Sequence, residues 1–130
     1  MSDAEEVSAL LESMRSGDEN RLIEASAMLG QFGVDAVPGL VLTLQDSQTL
    51  VRDYSALALG LIGAQAVPAL PTLCQATFDN DPGVRYTAVV ALGRIGKATP
   101  DVATCLKASL RDSNEMIRRG AELALKALKI

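Results

Sequence analysis

The sequence predicts an all-α fold, a right-handed α-α superhelix of about four stacked helix pairs. Three observations carry that prediction. One segment recurs along the chain at a nearly fixed spacing. The composition suits helices that approach one another closely. Glycine and proline fall at matching places in successive copies.

The recurring segment is clearest at Val51-Arg52-Asp53-Tyr54-Ser55-Ala56-Leu57-Ala58-Leu59-Gly60-Leu61-Ile62-Gly63. It returns as Val84-Arg85-Tyr86-Thr87-Ala88-Val89-Val90-Ala91-Leu92-Gly93-Arg94-Ile95-Gly96. A second step of the same length reaches Ile117-Arg118-Arg119-Gly120-Ala121-Glu122-Leu123-Ala124-Leu125, where Lys126 takes the place of the glycine. A worn copy, Arg21 to Gly33, precedes the first by a slightly shorter step. Self-similarity at such a period is the mark of helical repeat arrays, in which each unit buries its apolar face only against its neighbours.

Composition agrees. The 130 residues are 48% hydrophobic but only 3% aromatic, with no Trp and no His. Such a core is Leu, Ala, Val and Ile; Ala and Leu are good helix formers, whereas β-rich chains carry more aromatic and β-branched residues. The length suits one compact domain spanning 1–130, with repeats near 3–33, 34–63, 64–96 and 97–130.

Each unit reads as a helix A, a turn, a helix B and a short link. Gly33, Gly63 and Gly96 are placed to end B helices. Pro38, Pro68 and Pro100 follow shortly after, where the first turn of the next helix tolerates a missing N–H. On a helical wheel Val51, Ser55, Ala58, Leu59 and Ile62 share one face, repeated by Val84, Ala88, Ala91, Leu92 and Ile95. The predicted helices are 3–15, 19–32, 36–45, 49–62, 67–78, 82–95, 99–110 and 114–129. Leu22 stands in the first unit where later units have Arg, and the last unit carries Lys126 for Gly, so both ends read as capping repeats.

The pattern Asp-x5-Arg across each A–B turn, continued by Ala-x-Ala-Leu-Gly-x-Ile-Gly, resembles the HEAT-repeat superfamily. It is most similar to the phycobilisome-lyase-type HEAT-like repeats of bacteria. The turn pairs are Asp46/Arg52, Asp79/Arg85 and Asp112/Arg118. The resemblance implies that these residues form a hydrogen-bonded ladder from repeat to repeat. An Asp at a helix start also satisfies free N–H groups, and a guanidinium pairs bidentately with a carboxylate.

Residues for chemistry are scarce. Without His the chain lacks the commonest general base and metal ligand, and no Ser-His-Asp or Cys-His arrangement is available. The glycines end helices and do not follow strands, so they form no phosphate-binding loop. Asp79-Asn80-Asp81-Pro82-Gly83 lacks the spacing and closing Glu of a calcium loop and reads as a turn and cap. Cys74 and Cys105, far apart in sequence and with no CxxC, read as buried free thiols in a reducing compartment. No catalytic residue, metal or cofactor is expected, and the protein reads as a non-enzyme.

Net charge is −4, which counts against nucleic acid as a partner. Residues 1–81 hold twelve acids and three arginines, whereas 82–130 hold four acids and nine Lys or Arg. The acidic N-terminus is no signal peptide, and no run of apolar residues reaches the roughly 20 that a membrane span needs. A cytoplasmic location is expected.

The resemblance further implies that B helices line the concave face. The wheel positions opposite the core then carry Ile23, Asp53, Tyr86 and Arg119 along one edge, with Ala27, Leu57, Val90 and Leu123 as an apolar spine. Arg94 lies beside them, and Gly60 and Gly93 would admit a partner's backbone. A polar face is the rule for a solvated helix, so this row reads as either a contact surface or packing between B helices. The expected function is a protein–protein adaptor, with self-pairing into a homodimer open. A second expectation comes from the resemblance: an auxiliary subunit or chaperone in bilin attachment or detachment, with Arg94 and Arg119 meeting propionates and Tyr86 a ring. DNA binding, as in some HEAT-like glycosylases, is a third, set against the net charge.

Overall fold

A computed structural model describes residues 1–130. It contains eight α-helices: α1 (Asp3–Arg15), α2 (Glu19–Phe32), α3 (Val37–Thr43), α4 (Thr49–Ile62), α5 (Leu70–Ala76), α6 (Pro82–Ile95), α7 (Pro100–Ser109) and α8 (Glu115–Leu128). The odd-numbered A helices form one layer and the even-numbered B helices the other. Each B helix packs on the next, α2 on α4, α4 on α6 and α6 on α8. The fold is the expected all-α solenoid of four helix pairs. One apolar cluster of 32 buried residues runs from Val7 to Leu128.

The B helices are uniform, 14 residues each. Side chains satisfy the free N–H groups at three of their starts: Asp18 accepts from Asn20 N–H, Asp81 from Val84, and Asn114 from Met116 and Ile117. At α4 the N-cap is Gln48, whose side chain makes no such bond. Three B helices close on glycines with positive φ, 68° at Gly33, 75° at Gly63 and 79° at Gly96, a conformation other residues adopt only with strain. Most of the wheel faces expected to be core are core: Val51, Ser55, Ala58 and Leu59 are buried, as are Val84, Ala88, Ala91, Leu92 and Ile95, whereas Ile62 is only half-buried at the edge of the cluster.

The A layer departs more from expectation. The third and fifth helices were expected over 36–45 and 67–78, but α3 and α5 are only seven residues each. Each is preceded by 3-10 turns, over Gly33–Ala36 and Gly63–Ala69. Pro38 sits in the first turn of α3 as expected, whereas Pro68 lies inside the 3-10 segment and Pro71 takes the first turn of α5. Pro68 and Pro71 each lack a donor, so regular α-helical bonding starts only after the first of them.

The runs Glu19–Thr43 and Thr49–Ala76 have the length and apolar composition of membrane spans. Each is in fact two helices folded back at Gly33 or Gly63. A 14-residue helix is about 21 Å long, short of a bilayer's apolar core of about 30 Å.

The cysteines correct the sequence reading. Cys74 on α5 and Cys105 on α7 are joined in a disulfide, with Cα atoms 5.7 Å apart and no free thiol left. Their sequence separation falls just short of one repeat. Cys105 therefore occupies the repeat position of Thr72, close to that of Cys74, on the neighbouring A helix. Linear spacing looked too long for a framework; stacking of equivalent helices brings the two within bridging range.

Candidate partner-binding surface

The A–B turns set the spacing of the B helices, and the Asp-Arg pairs set the turns. Asp46, Asp79 and Asp112 each accept the backbone N–H two residues on, from Gln48, Asp81 and Asn114, at 2.9 Å in all three cases. Each Arg then reaches two ways. Arg52 donates from Nη1 to the Asp46 and Ser47 carbonyls of its own turn, and from Nε and Nη2 to the Asp79 carboxylate of the next, at 2.8 and 3.1 Å. Arg85 repeats this with the Asp79 and Asn80 carbonyls and the Asp112 carboxylate, at 2.9 and 3.2 Å. The pairing therefore runs forward. Arg does not salt-bridge the Asp of its own turn, but holds that residue's carbonyl. Arg118 holds the Asp112 carbonyl at 2.8 Å.

These pairs are shielded, with side-chain exposures of 18% and 14% for Arg52–Asp79 and 16% and 10% for Arg85–Asp112. Burial alone would push both carboxyls up, but the arginine bonds and the backbone N–H groups outweigh it and hold them below the usual range. The Asp79 to Gly83 stretch is engaged in this frame, since Asp79 pairs with Arg52 and Asp81 caps α6.

Across the opposite face of the B layer lies a row of exposed apolar side chains. Exposure is 50% at Ile23, 38% at Leu57, 46% at Leu61 and 69% at Leu123. Tyr86 is also exposed, and Val90 is half-buried. Ala27 and Ala127 are exposed on the same layer. Between α6 and α8 the row deepens into a groove of about 340 Å³ lined by Tyr86, Val90, Gly93, Arg94, Leu123 and Ala127. Four of the sequence-predicted residues, Tyr86, Val90, Arg94 and Leu123, thus share one concavity. Ile23 and Leu57 lie on the same layer outside it.

Two predicted residues have other partners. Asp53 accepts the Thr87 hydroxyl at 2.6 Å, tying α4 to α6, and burial pushes its carboxyl up. Arg119 pairs with Glu115 one turn back at 3.0 Å, both side chains being well exposed. Gly60 and Gly93 are seated against the next B helix, and Gly93 also lines the groove. A side chain at Gly60 would meet Ala91, and one at Gly93 would meet Ala124, each at 3.2 Å. Small residues on facing B helices let their axes approach closely, and their spacing of one repeat was the signal for it.

Sequence reasoning missed three polar links. The Asp53–Thr87 bond is one. The second is Gln48, whose Nε2 donates to the Arg15 carbonyl at 3.1 Å. The third joins Tyr54 on α4 to Glu19 on α2, the phenol donating to the carboxylate at 3.3 Å. Each joins residues about one repeat apart, a spacing that could have flagged them. No three His, Cys, Asp or Glu side chains come together in an arrangement that could hold a metal ion.

The chain is similar over 98% of its length to 80% of a chain in the complex of CpcE and CpcF of phycocyanin lyase from Nostoc sp. PCC7120, at 27% identity and a TM-score of 0.82. It is similar to human deoxyhypusine hydroxylase at 26% identity and a TM-score of 0.78, with 95% of this chain covering 43% of that one. A designed armadillo repeat protein in complex with the peptide (KR)4 shares the fold, at 19% identity, a TM-score of 0.71, and coverage of 94% of this chain and 64% of that one. No curated protein matches the sequence. The family model of HEAT repeats matches residues 37–126, more than two thirds of the chain, and the chain belongs to the HEAT-repeat family.

Proposed function

We propose that this protein is a non-catalytic adaptor that binds a partner protein on the B-helix face. The observation that carries this is the row of exposed apolar side chains, Ile23, Leu57, Leu61 and Leu123, on the B helices. A solvated helix face is ordinarily polar, and contiguous exposed apolar surface marks interaction sites. The likeness to a chain from a two-protein complex, CpcE with CpcF, supports the same reading. The test is affinity capture with wild type and a Leu57→Glu/Leu123→Glu double variant. A protein retained by wild type and lost by a variant with unchanged helicity and melting temperature supports the adaptor. Equal retention by both overturns binding at this face.

A second reading is favoured by the extent of that likeness, 98% of this chain at a TM-score of 0.82. The protein would then be an auxiliary subunit acting on open-chain tetrapyrroles. Adding a bilin and following its visible spectrum tests this directly, and an unchanged spectrum counts against it.

A further inference from the structure

The Cys74–Cys105 bridge presents its two sulfurs unequally. Cys105 is buried, at 5% exposure, in the middle of α7. Cys74 on α5 is half-buried and lines a cavity of about 280 Å³, beside Leu70, Pro71, Lys97, Thr99 and Asp101. Lys97 and Asp101 are both exposed and opposite in charge, so the cavity selects an occupant by size. Each sulfur also has an acceptor in place for the reduced state. The Asp101 carbonyl lies 3.6 Å from Cys74 Sγ, and the Val102 carbonyl 3.4 Å from Cys105 Sγ. A thiol freed at either position can donate there, so opening the bridge leaves no buried donor unpaired. The same junction keeps two further ties, the Arg85–Asp112 pair and the packing of α6 on α8.

We propose that Cys74 is a reversible thiolation site, at which a low-molecular-weight thiol opens the bridge. The thiol gives up its proton to water, and its thiolate sulfur attacks Cys74 Sγ. A new S–S bond joins the small molecule to Cys74 as the Cys74–Cys105 bond breaks. The electron pair of the broken bond leaves on the Cys105 sulfur, which takes a proton from water. One disulfide replaces another, so no outside oxidant or reductant is consumed. Cys105, on the neighbouring A helix, reverses the step by attacking Cys74 Sγ and expelling the thiol. Access decides which sulfur of a disulfide is attacked, and of the two only Cys74 lines the cavity. The site couples the clamp between α5 and α7 to the surrounding thiols. It lies on the A layer, apart from the B-helix face, and does not rest on the adaptor reading.

Glutathione serves as the probe. The unreduced protein is incubated with excess reduced glutathione, trapped with N-ethylmaleimide and mapped by peptide mass spectrometry. The first opened species is expected to carry glutathione on Cys74 and the maleimide on Cys105, with the helicity of the starting protein. In a second measurement oxidised glutathione is added to Cys105→Ser and to Cys74→Ser. Cys74 is expected to react at least tenfold faster than Cys105 in the folded protein, and equally fast in concentrated urea, where burial is lost. The wild-type mapping decides alone should either variant fail to fold. Glutathione found first on Cys105, equal rates at both cysteines when folded, a bridge that opens only in urea, or helicity lost on opening would overturn the inference. A bridge inert to glutathione yet opened by a protein dithiol such as thioredoxin would overturn the small-molecule occupant.

Discussion

The junction between the first two helix pairs and the two junctions that follow are built by different means. Later junctions carry a shielded bidentate Arg-Asp pair each, Arg52–Asp79 and Arg85–Asp112, and the last is also crossed by the Cys74–Cys105 bridge. At the first junction Leu22 occupies the Arg position and is fully buried. Its polar links are two solvent-exposed bonds, Gln48 to the Arg15 carbonyl and Tyr54 to Glu19. Yet the B helices stack alike at all three, each glycine seated against the next helix: Gly30 on Leu61, Gly60 on Ala91, Gly93 on Ala124. Apolar packing therefore builds the stack. The ladder reinforces it where the chain supplies the residues.

The comparison breaks most sharply at Arg85. Arg85→Ala leaves the shielded Asp112 carboxylate and the Asp79 and Asn80 carbonyls without their donor. Removing one partner of a largely buried pair costs about 3–4 kcal/mol, to be read from urea denaturation.

Next comes the disulfide, which ties together two neighbouring A helices and closes a loop of nearly one repeat. Its loss in Cys74→Ser/Cys105→Ser should cost about 3 kcal/mol. Intact mass and thiol titration of the unreduced protein should report no free thiol, and two reactive thiols would disprove the bridge.

A smaller effect concerns the acid side of the stability curve. Asp79 and Asp112 titrate below their ordinary value when folded, so the stability they contribute is present above about pH 4 and lost as pH falls further. Asp53 titrates above its ordinary value, because burial penalises its charge, so the folded state holds that proton more tightly. Its contribution becomes more favourable as pH falls from neutral toward about 4. Asp53→Asn, which can still accept from Thr87, should raise stability at neutral pH and remove that acid-side gain. Melting temperatures from acid to neutral pH check both.

The smallest effect is expected at the first junction. Gln48→Ala removes one exposed, neutral hydrogen bond, worth about 1 kcal/mol or less. A cost equal to that of Arg85→Ala would show that the two kinds of junction are not different after all.

Much of this fold was legible in the sequence. Six of the eight expected helices, 3–15, 19–32, 49–62, 82–95, 99–110 and 114–129, agree with α1, α2, α4, α6, α7 and α8 to within a residue at each end. Five of their starts are encoded locally by Ser, Asp, Thr and Asn caps, α4 being the exception, and α2, α4 and α6 stop at glycines with positive φ. The two central A helices, α3 and α5, were less legible. The 3-10 turns that lead into them, and Pro68 and Pro71 before and in α5, shorten α-helical bonding in ways the repeat period does not show. For the partner surface, the wheel placed Ile23, Leu57, Tyr86 and Leu123 on the exposed side, but it also put the buried Gly60 there and the half-buried Ile62 in the core. It did not sort which outer side chains are occupied, since Asp53 is claimed by Thr87 one repeat away.

By itself, then, the sequence determined what local chemistry and periodicity can carry: most helix boundaries, the core face of each B helix, and the identity of the turn residues. Tertiary structure alone decided which neighbour each residue meets one repeat on. It joined the Arg52 guanidinium to the Asp79 carboxylate and the Asp46 carbonyl at once, brought Cys74 to Cys105, and set Gly60 and Gly93 against the next helix. The physical reason is that a solenoid's contacts are made between positions about one repeat apart. The repeat announces that register, but the partner chosen within it depends on the rotation and offset of stacked helices, which no single segment encodes.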